Sequence, residues 1–227
     1  MDVFVIPIGP DRYELYCEAA VEEPRLAPGS NGIIGRIRYQ FAVMLHQAEE
    51  RRRGGASASR HSTRLGRLRE WIMAWVAERI AEQRLLWNLR RETAVVAFHP
   101  QDLTFEQAHT LIRRTLQRDY ERHRVWLVVD GLLLIGSIAL ILLPGPNIIG
   151  YYFAFRVMGH WLSIRGALQG LRSVTWTGQP CEPLTKLREA ALLNGEARER
   201  RVHEIAGQLR LQHLSTFFER VAVRHAS

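Results

Sequence analysis

Residues 125–143 read VWLVVDGLLLIGSIALILL, and the chain continues with PGPN. The first stretch contains one ionisable side chain, Asp130, and as a helix it would be about 28 Å long, close to the roughly 30 Å hydrocarbon thickness of a bilayer. Two prolines and a glycine interrupt a helix, so we expect the chain to turn after residue 143. The turn motif consists of Pro144, Gly145, Pro146 and Asn147. A second apolar stretch follows, and the sequence therefore predicts a helical hairpin over residues 125–168.

This hairpin suits either a membrane or a protein interior. Its outer ends are basic and its tip is uncharged, which is typical of two spans with both termini on the cytoplasmic or matrix side. The side chains that we assign to the membrane interface are Trp126, Trp161, Arg122, Arg124 and Arg165. The alternative is a soluble helical protein whose other helices bury the hairpin, because the second arm carries several charged or polar side chains. We favour insertion into the membrane.

Three ionisable side chains of the hairpin are expected to meet. When the hairpin is folded at the middle of its turn, Asp130 and His160 lie at about the same level near its base, and Arg156 lies one helical turn nearer the tip. Ionisable groups inside a membrane are costly unless paired, and they often mark proton or ion paths. Histidine also exchanges a proton near neutral pH. All three are therefore candidates for proton-linked or ion-linked residues; the alternative is a structural Asp130–Arg156 pair with His160 as a hydrogen-bonding neighbour.

Turn residues and charge divide the remaining sequence. Residues 1–24 contain six acids and one arginine, and two β-rich runs on either side of residues 9–11 predict a small β-hairpin. Residues 33–123 are basic and show helical periodicity, with a flexible linker near residues 54–60. Residues 183–223 predict amphipathic helices. We therefore expect a mainly α-helical protein with a central helical hairpin and a small N-terminal β-hairpin.

One helix start is marked by its capping residues. Thr104 is followed three residues later by Gln107, which is the pattern of a capping box. Ala108, Ile112 and Leu116 follow at helical spacing. A helix is therefore expected to begin directly after Thr104.

The hairpin also carries a specific combination of residues. Leu142-Leu143 precede the turn motif, and Tyr151-Tyr152, Phe155-Arg156, His160-Trp161 and Arg165-Gly166-Ala167 follow it. This combination resembles the signature of the mitochondrial K+–H+ exchange-related family, which Val5-Ile6-Pro7 and Tyr16-Cys17 match more loosely. Gly159 stands where a serine is usual in that family. The resemblance implies a membrane protein linked to potassium–proton exchange, acting as an accessory or a regulator.

Composition and motifs bound the other function classes. The net charge is +8 and 47% of the residues are hydrophobic, as in a globular protein. A basic protein can bind an anionic lipid bilayer or nucleic acid, but no nucleic-acid reading motif is present, so we do not expect nucleic acid as a partner. The sequence also lacks a phosphate loop, a nucleophile elbow and zinc-ligand spacing. We therefore predict no enzymatic activity, no cofactor and no metal site.

These observations predict a membrane-associated accessory or regulatory component of potassium–proton exchange. The alternative is a soluble or peripheral helical interaction module without transport activity. Two spans are too few for a self-sufficient exchanger, so we expect a homo-oligomer or a membrane-protein partner, with potassium as the candidate ion. The first residues are not basic, so we expect no cleaved leader, which leaves both a bacterial and a mitochondrial member of the family open. The expected location is the bacterial or the mitochondrial inner membrane.

Overall fold

The fold is given by a computed structural model of the chain. The structure describes residues 1–9, 11–18, 85–138, 148–193 and 195–223. All of these belong to one compact unit, which comprises residues 1–19 and 85–227, whereas residues 20–84 belong to a second unit and lie outside the described residues. The predicted linker near residues 54–60, residues 33–84 of the predicted helical region and the turn at residues 144–147 also lie outside them.

A four-stranded mixed sheet is the central element of the described unit. Its strands are β1 (Asp2–Gly9), β2 (Arg12–Tyr16), β3 (Ala94–His99) and β4 (Thr175–Pro180). They lie in the order β2-β1-β3-β4. β1 pairs antiparallel with β2, and β3 runs parallel to both β1 and β4. β1 and β3 are therefore the inner strands of the sheet.

Within the described residues, five helices follow β3. They are α1 (Phe105–Ile138), α2 (Ile148–Arg172), α3 (Glu182–Ala191), α4 (Gly195–Leu209) and α5 (Leu214–Val223). α1 and α2 pack against each other and lie between β3 and β4 in the chain. Residues 85–89, just before β3, are also helical.

α1 begins at the capping box that the sequence predicts. The backbone N–H of Thr104 donates to Oε1 of Gln107 at 2.9 Å, and the backbone N–H of Gln107 donates to Oγ1 of Thr104 at 3.3 Å. The two side chains thereby satisfy two backbone donors that the first turn of a helix leaves unpaired. The predicted start of this helix is confirmed.

β1 separates two apolar cores because successive side chains of a strand point to opposite faces of the sheet. Val3 and Val5 lie in one core together with side chains of α1 and α2. Phe4 and Ile6 lie in the other core with side chains of α3, α4 and α5. The sheet therefore carries a helical layer on each face.

The prediction of a mainly α-helical fold with a small N-terminal β-hairpin has to be corrected, because the structure contains this four-stranded mixed sheet beside its helices. The antiparallel pairing of β1 with β2 is confirmed, with Phe4 opposite Tyr16. This pair is not an isolated hairpin, however, since β1 also pairs with β3. β3 and β4 are not predicted from the sequence, because each has only six residues and lies beside a strong helical pattern.

The prediction of a central membrane hairpin is also wrong. In the part of the chain that the structure describes, no helix is both long enough and apolar enough to cross a bilayer. α1 has 34 residues, but it starts at Phe105 rather than at Val125, and its first half is rich in charged side chains. α2 has 25 residues and includes Arg156, His160 and Arg165. The two arms therefore pair as long helices of mixed polarity.

A close approach of the helical residues 85–89 to α2 requires glycine at position 166. A Cβ atom added there would lie 1.7 Å from the backbone oxygen of Leu86, so the backbone would have to move. We expect Gly166→Ala to lower the free energy of unfolding by roughly 1–3 kcal/mol in urea denaturation. Gly207→Ala in α4 is the control, because a Cβ there meets nothing within 4 Å. Wild-type stability of Gly166→Ala would contradict the close approach.

α4 ends at a left-handed residue that is not glycine. Arg210 has a φ of 56°. The N–H of Leu211 donates to the carbonyl of Ala206 at 2.9 Å, and the N–H of Arg210 donates to the carbonyl of Gly207 at 3.1 Å. These are the two hydrogen bonds of a Schellman motif. They end α4 inside residues 183–223, for which the sequence predicts amphipathic helices.

Arg210→Gly is expected to stabilise the protein, because glycine adopts a positive φ without the steric cost of a Cβ atom. The expected gain in the free energy of unfolding is about 0.5–1 kcal/mol, measured by urea denaturation. Gln208→Gly, two residues earlier and inside the helix, should instead lose about 1 kcal/mol. Destabilisation by both substitutions would show that position 210 does not prefer glycine.

Candidate functional site

Four side chains form a hydrogen-bonded row between α1 and α2, which we call the polar row. α1 contributes His123 and Asp130, and α2 contributes Arg156 and His160. Nε of Arg156 donates to Oδ2 of Asp130 at 2.8 Å, and Nε2 of His160 lies 3.0 Å from the same oxygen. The Nδ1 atoms of His123 and His160 are 2.7 Å apart. The order of the row is therefore Arg156–Asp130–His160–His123.

The polar row is largely withdrawn from solvent. Asp130 is 1% exposed, and His123 and His160 are each 9% exposed. A buried carboxylate is costly unless opposite charges and hydrogen-bond donors compensate it. Asp130 has both, because Arg156 and His160 approach the same oxygen from α2.

Arg156 is the permanent charge of the row. Its Nη1 donates to the hydroxyl of Tyr152 at 3.2 Å, and its guanidinium lies over the ring of Trp126, 5.5 Å from the ring centre. Burial lowers the pKa of Arg156, but the hydrogen bonds with Tyr152 and Asp130 outweigh this effect, so its pKa is raised above the ordinary value. Arg156 therefore remains positively charged beside Asp130.

The contact between the two Nδ1 atoms limits the protons that the histidine pair can hold. A hydrogen bond at 2.7 Å needs one hydrogen between the two nitrogens, with one ring donating and the other accepting. The pair can gain one proton without breaking this contact. A second proton would place two N–H groups against each other, so the contact would have to open.

Tryptophan from outside the helix pair anchors α2 beside His160. Nε1 of Trp87 donates to Oγ of Ser163 at 3.0 Å and to the carbonyl of Gly159 at 3.3 Å. Oγ of Ser163 donates to the same carbonyl at 2.9 Å. Because Gly159 and Ser163 lie on either side of His160 in the sequence, these bonds fix the turn of α2 that carries the histidine.

A further titratable group lies one helical turn before His123. Burial raises the pKa of Asp119 to about 6; Arg118 and Arg122 oppose this shift, and Glu14 adds to it. Asp119 therefore changes its charge near the range in which histidines titrate. An experiment on the pH response of the row has to separate this carboxyl from the histidines.

The contacts of the polar row meet at two places, Oδ2 of Asp130 and the pair of histidine Nδ1 atoms. Among the described residues, no group of three or more histidine, cysteine, aspartate or glutamate side chains is arranged to hold a metal ion.

The structure brings together the three ionisable residues that the sequence singles out, Asp130, Arg156 and His160. Their role as proton-linked or ion-linked residues stays a prediction. His123, which contacts His160 from the other helix, is not predicted as a site residue from the sequence. Its seven-residue spacing from Asp130 was the available signal, since residues two turns apart share a helix face.

The residues assigned to a membrane interface lie near the middle of α1 and of α2. Trp126 and Trp161 are each 43% exposed. Arg122, Arg124 and Arg165 are exposed, and the guanidinium of Arg165 lies over the ring of Trp161 at 5.2 Å. Their contact with lipid stays a prediction.

Comparison with known proteins identifies a family to which the chain is similar. The family model described as "Mitochondrial K+-H+ exchange-related" matches residues 2–174. The chain belongs to this family. The resemblance seen in the hairpin residues is thereby confirmed. All four residues of the polar row lie within the residues that the family model matches. No curated protein and no solved structure matches the chain significantly.

The ion pair inside the polar row is expected to stabilise the helix pair. Asp130→Asn leaves Arg156 without its carboxylate, and the free energy of unfolding should fall by about 2–4 kcal/mol, because a charge is left uncompensated. Asp102→Asn is the matched control: Asp102 also pairs with an arginine, Arg188, but it is 39% exposed and should cost less than about 1 kcal/mol.

Urea denaturation at constant pH measures both effects. The double variant Asp130→Asn/Arg156→Met should recover part of the loss, because it removes the unpaired charge as well. Equal costs for Asp130→Asn and Asp102→Asn would contradict a stabilising role of the buried pair.

Proposed function

We propose that this protein is a membrane-associated regulatory component of potassium–proton exchange and that it responds to pH through the polar row. The family membership supports the link to exchange. The buried His123–His160 contact beside Asp130 supports the response to pH and is the observation on which the proposal rests. Histidine is the side chain whose ordinary charge change falls near neutral pH.

The row has two protonation states that keep all of its contacts. With both rings neutral, Nε2–H of His160 donates to Asp130, and Nδ1 of His160 accepts from Nδ1–H of His123. With one added proton, His160 donates through both nitrogens and His123 accepts at Nδ1. The carboxylate of Asp130 favours the charged ring, because opposite charges attract.

A second added proton separates the two histidines and changes the packing of α1 against α2. Arg156 connects the row to Trp126, whose ring is 43% exposed. A shift of the row at acid pH therefore reaches the protein surface, where a partner of the exchange machinery can sense it. This sequence of events needs no ion path through the helix pair.

The proposal is tested by measuring potassium-dependent pH relaxation in membrane vesicles. The vesicles come from cells that lack the gene and from the same cells expressing the full chain or its variants, and an enclosed dye reports pH. We expect the chain to change the exchange rate in a manner that depends on pH between about 6 and 8. His160→Gln and His123→Gln should each remove most of this pH dependence.

His203→Gln is the matched control, because His203 is an exposed histidine of α4 outside the row. Asp119→Asn tests the nearby carboxyl separately and should leave the histidine-dependent part intact. A folded His160→Gln protein with an unchanged pH profile would exclude the row as the sensor. Equal exchange with and without the chain at every pH would instead favour a peripheral interaction module without transport activity.

A further inference from the structure

The C-terminal half of α1 carries exposed apolar side chains at the edge of the helix pair. Leu132 and Ile135 are each 65% exposed. We call this group the apolar surface; it consists of Val125, Trp126, Val128, Val129, Leu132, Leu133, Ile135 and, from α2, Trp161. A contiguous apolar group of this kind usually marks a contact with a partner or a membrane.

Arginines and tryptophans lie at one end of the apolar surface. Arg122 and Arg124 are exposed and directly precede it in α1. Trp126 and Trp161 are next, and Arg165 extends over the ring of Trp161. This order matches the layers of a lipid surface. Arginine suits the phosphates, tryptophan suits the headgroup boundary, and aliphatic side chains suit the acyl chains.

The charge of this region complements an anionic partner. Residues 122–172 contain a single acid, Asp130, which is 1% exposed and bound by Arg156 and His160. Glu121 is exposed one turn before Val125, but the exposed side chains of Arg122, Arg124 and Arg165 outnumber it, so the surroundings of the apolar surface carry net positive charge. Two copies joined in parallel through this surface would bring arginines against arginines, whereas acidic lipid headgroups supply the opposite charge.

We propose that the apolar surface binds the surface of an anionic lipid bilayer. The arginines contact lipid phosphates, the tryptophans lie at the headgroup level, and the aliphatic side chains enter the boundary with the acyl chains. Contact with one leaflet is sufficient for this binding. This inference rests on the membrane association in the proposed function. It does not require the proposed pH response, although Trp126 contacts Arg156 of the polar row.

Flotation of the purified full-length chain with lipid vesicles tests the inference. We compare vesicles of phosphatidylcholine alone with vesicles that also contain phosphatidylserine. Binding should be at least about tenfold stronger to the anionic vesicles and should weaken with salt, because salt screens surface charge. The indole fluorescence should shift to shorter wavelength on binding, and this shift should be smaller in Trp126→Phe.

Two pairs of variants separate the apolar and the charged contributions. Leu132→Glu should lower vesicle binding about tenfold or more, whereas Leu192→Glu at the end of α3, which is 68% exposed, should bind as the wild type does. Arg122→Gln/Arg124→Gln should lower binding to anionic vesicles about tenfold, whereas Arg200→Gln/Arg201→Gln in α4 should not. All six positions are exposed or partly exposed, and unchanged melting temperatures verify that each of the four variants is folded.

Three results would overturn the inference. The first is absence of wild-type binding to anionic vesicles, and the second is equal binding by Leu132→Glu and Leu192→Glu. The third is a wild-type dimer in sedimentation velocity that Leu132→Glu converts to a monomer without any effect on lipid binding, which would assign the apolar surface to contact between copies. None of these results depends on exchange activity, so they leave the test of the proposed function separate.

Discussion

β1 needs a helical layer on each of its faces, because Val3 and Val5 point to one side of the sheet and Phe4 and Ile6 to the other. Helices from two separate parts of the chain cover the two faces. α1 and α2, which connect β3 to β4, cover one face, and the three helices after β4 cover the other. The helix pair that carries the polar row is therefore held in place by the core of the sheet at one end, while its other end extends beyond that core.

Near the sheet, apolar packing aligns α1 with α2. Farther from the sheet, the buried carboxylate of Asp130 aligns the two helices. Asp130 has its two partners on the other helix, Arg156 and His160. Sliding α1 by one turn against α2 would leave both the carboxylate and the guanidinium without a partner, which costs several kcal/mol. The ion pair thus determines the register of the two helices, whatever its net contribution to stability.

The sequence contained the signals for part of this arrangement. Folding the hairpin at its turn was enough to bring Asp130, Arg156 and His160 to similar levels, because a helix has a fixed rise per residue. The face on which His123 lies was equally accessible from its spacing to Asp130, but its burial depends on how α2 packs against α1. That packing is a property of the tertiary structure.

Other parts of the fold were not accessible in this way. The run from Val125 onward has the composition of a membrane span, yet it continues a helix whose first half packs on the sheet through residues such as Ile112. β4 is short and largely polar, and it is a strand because β3 supplies its hydrogen bonds, with Ala94 opposite Thr175. Local composition does not contain either of these long-range constraints.

The order of the strands also has a consequence for the synthesis of the chain. Asp2 lies opposite Val96, so β1 leaves the ribosome roughly 5–20 s before its inner partner strand at ordinary rates of translation. Until then its apolar run has an unpaired edge, and pairings between distant segments form slowly. The acidic side chains next to it, such as Asp11, Glu14 and Glu18, give this early segment a negative charge in an otherwise basic chain. Charge beside an unpaired strand opposes association with other strands. The acidic N-terminal segment therefore disfavours aggregation of the nascent chain until β3 has been synthesised.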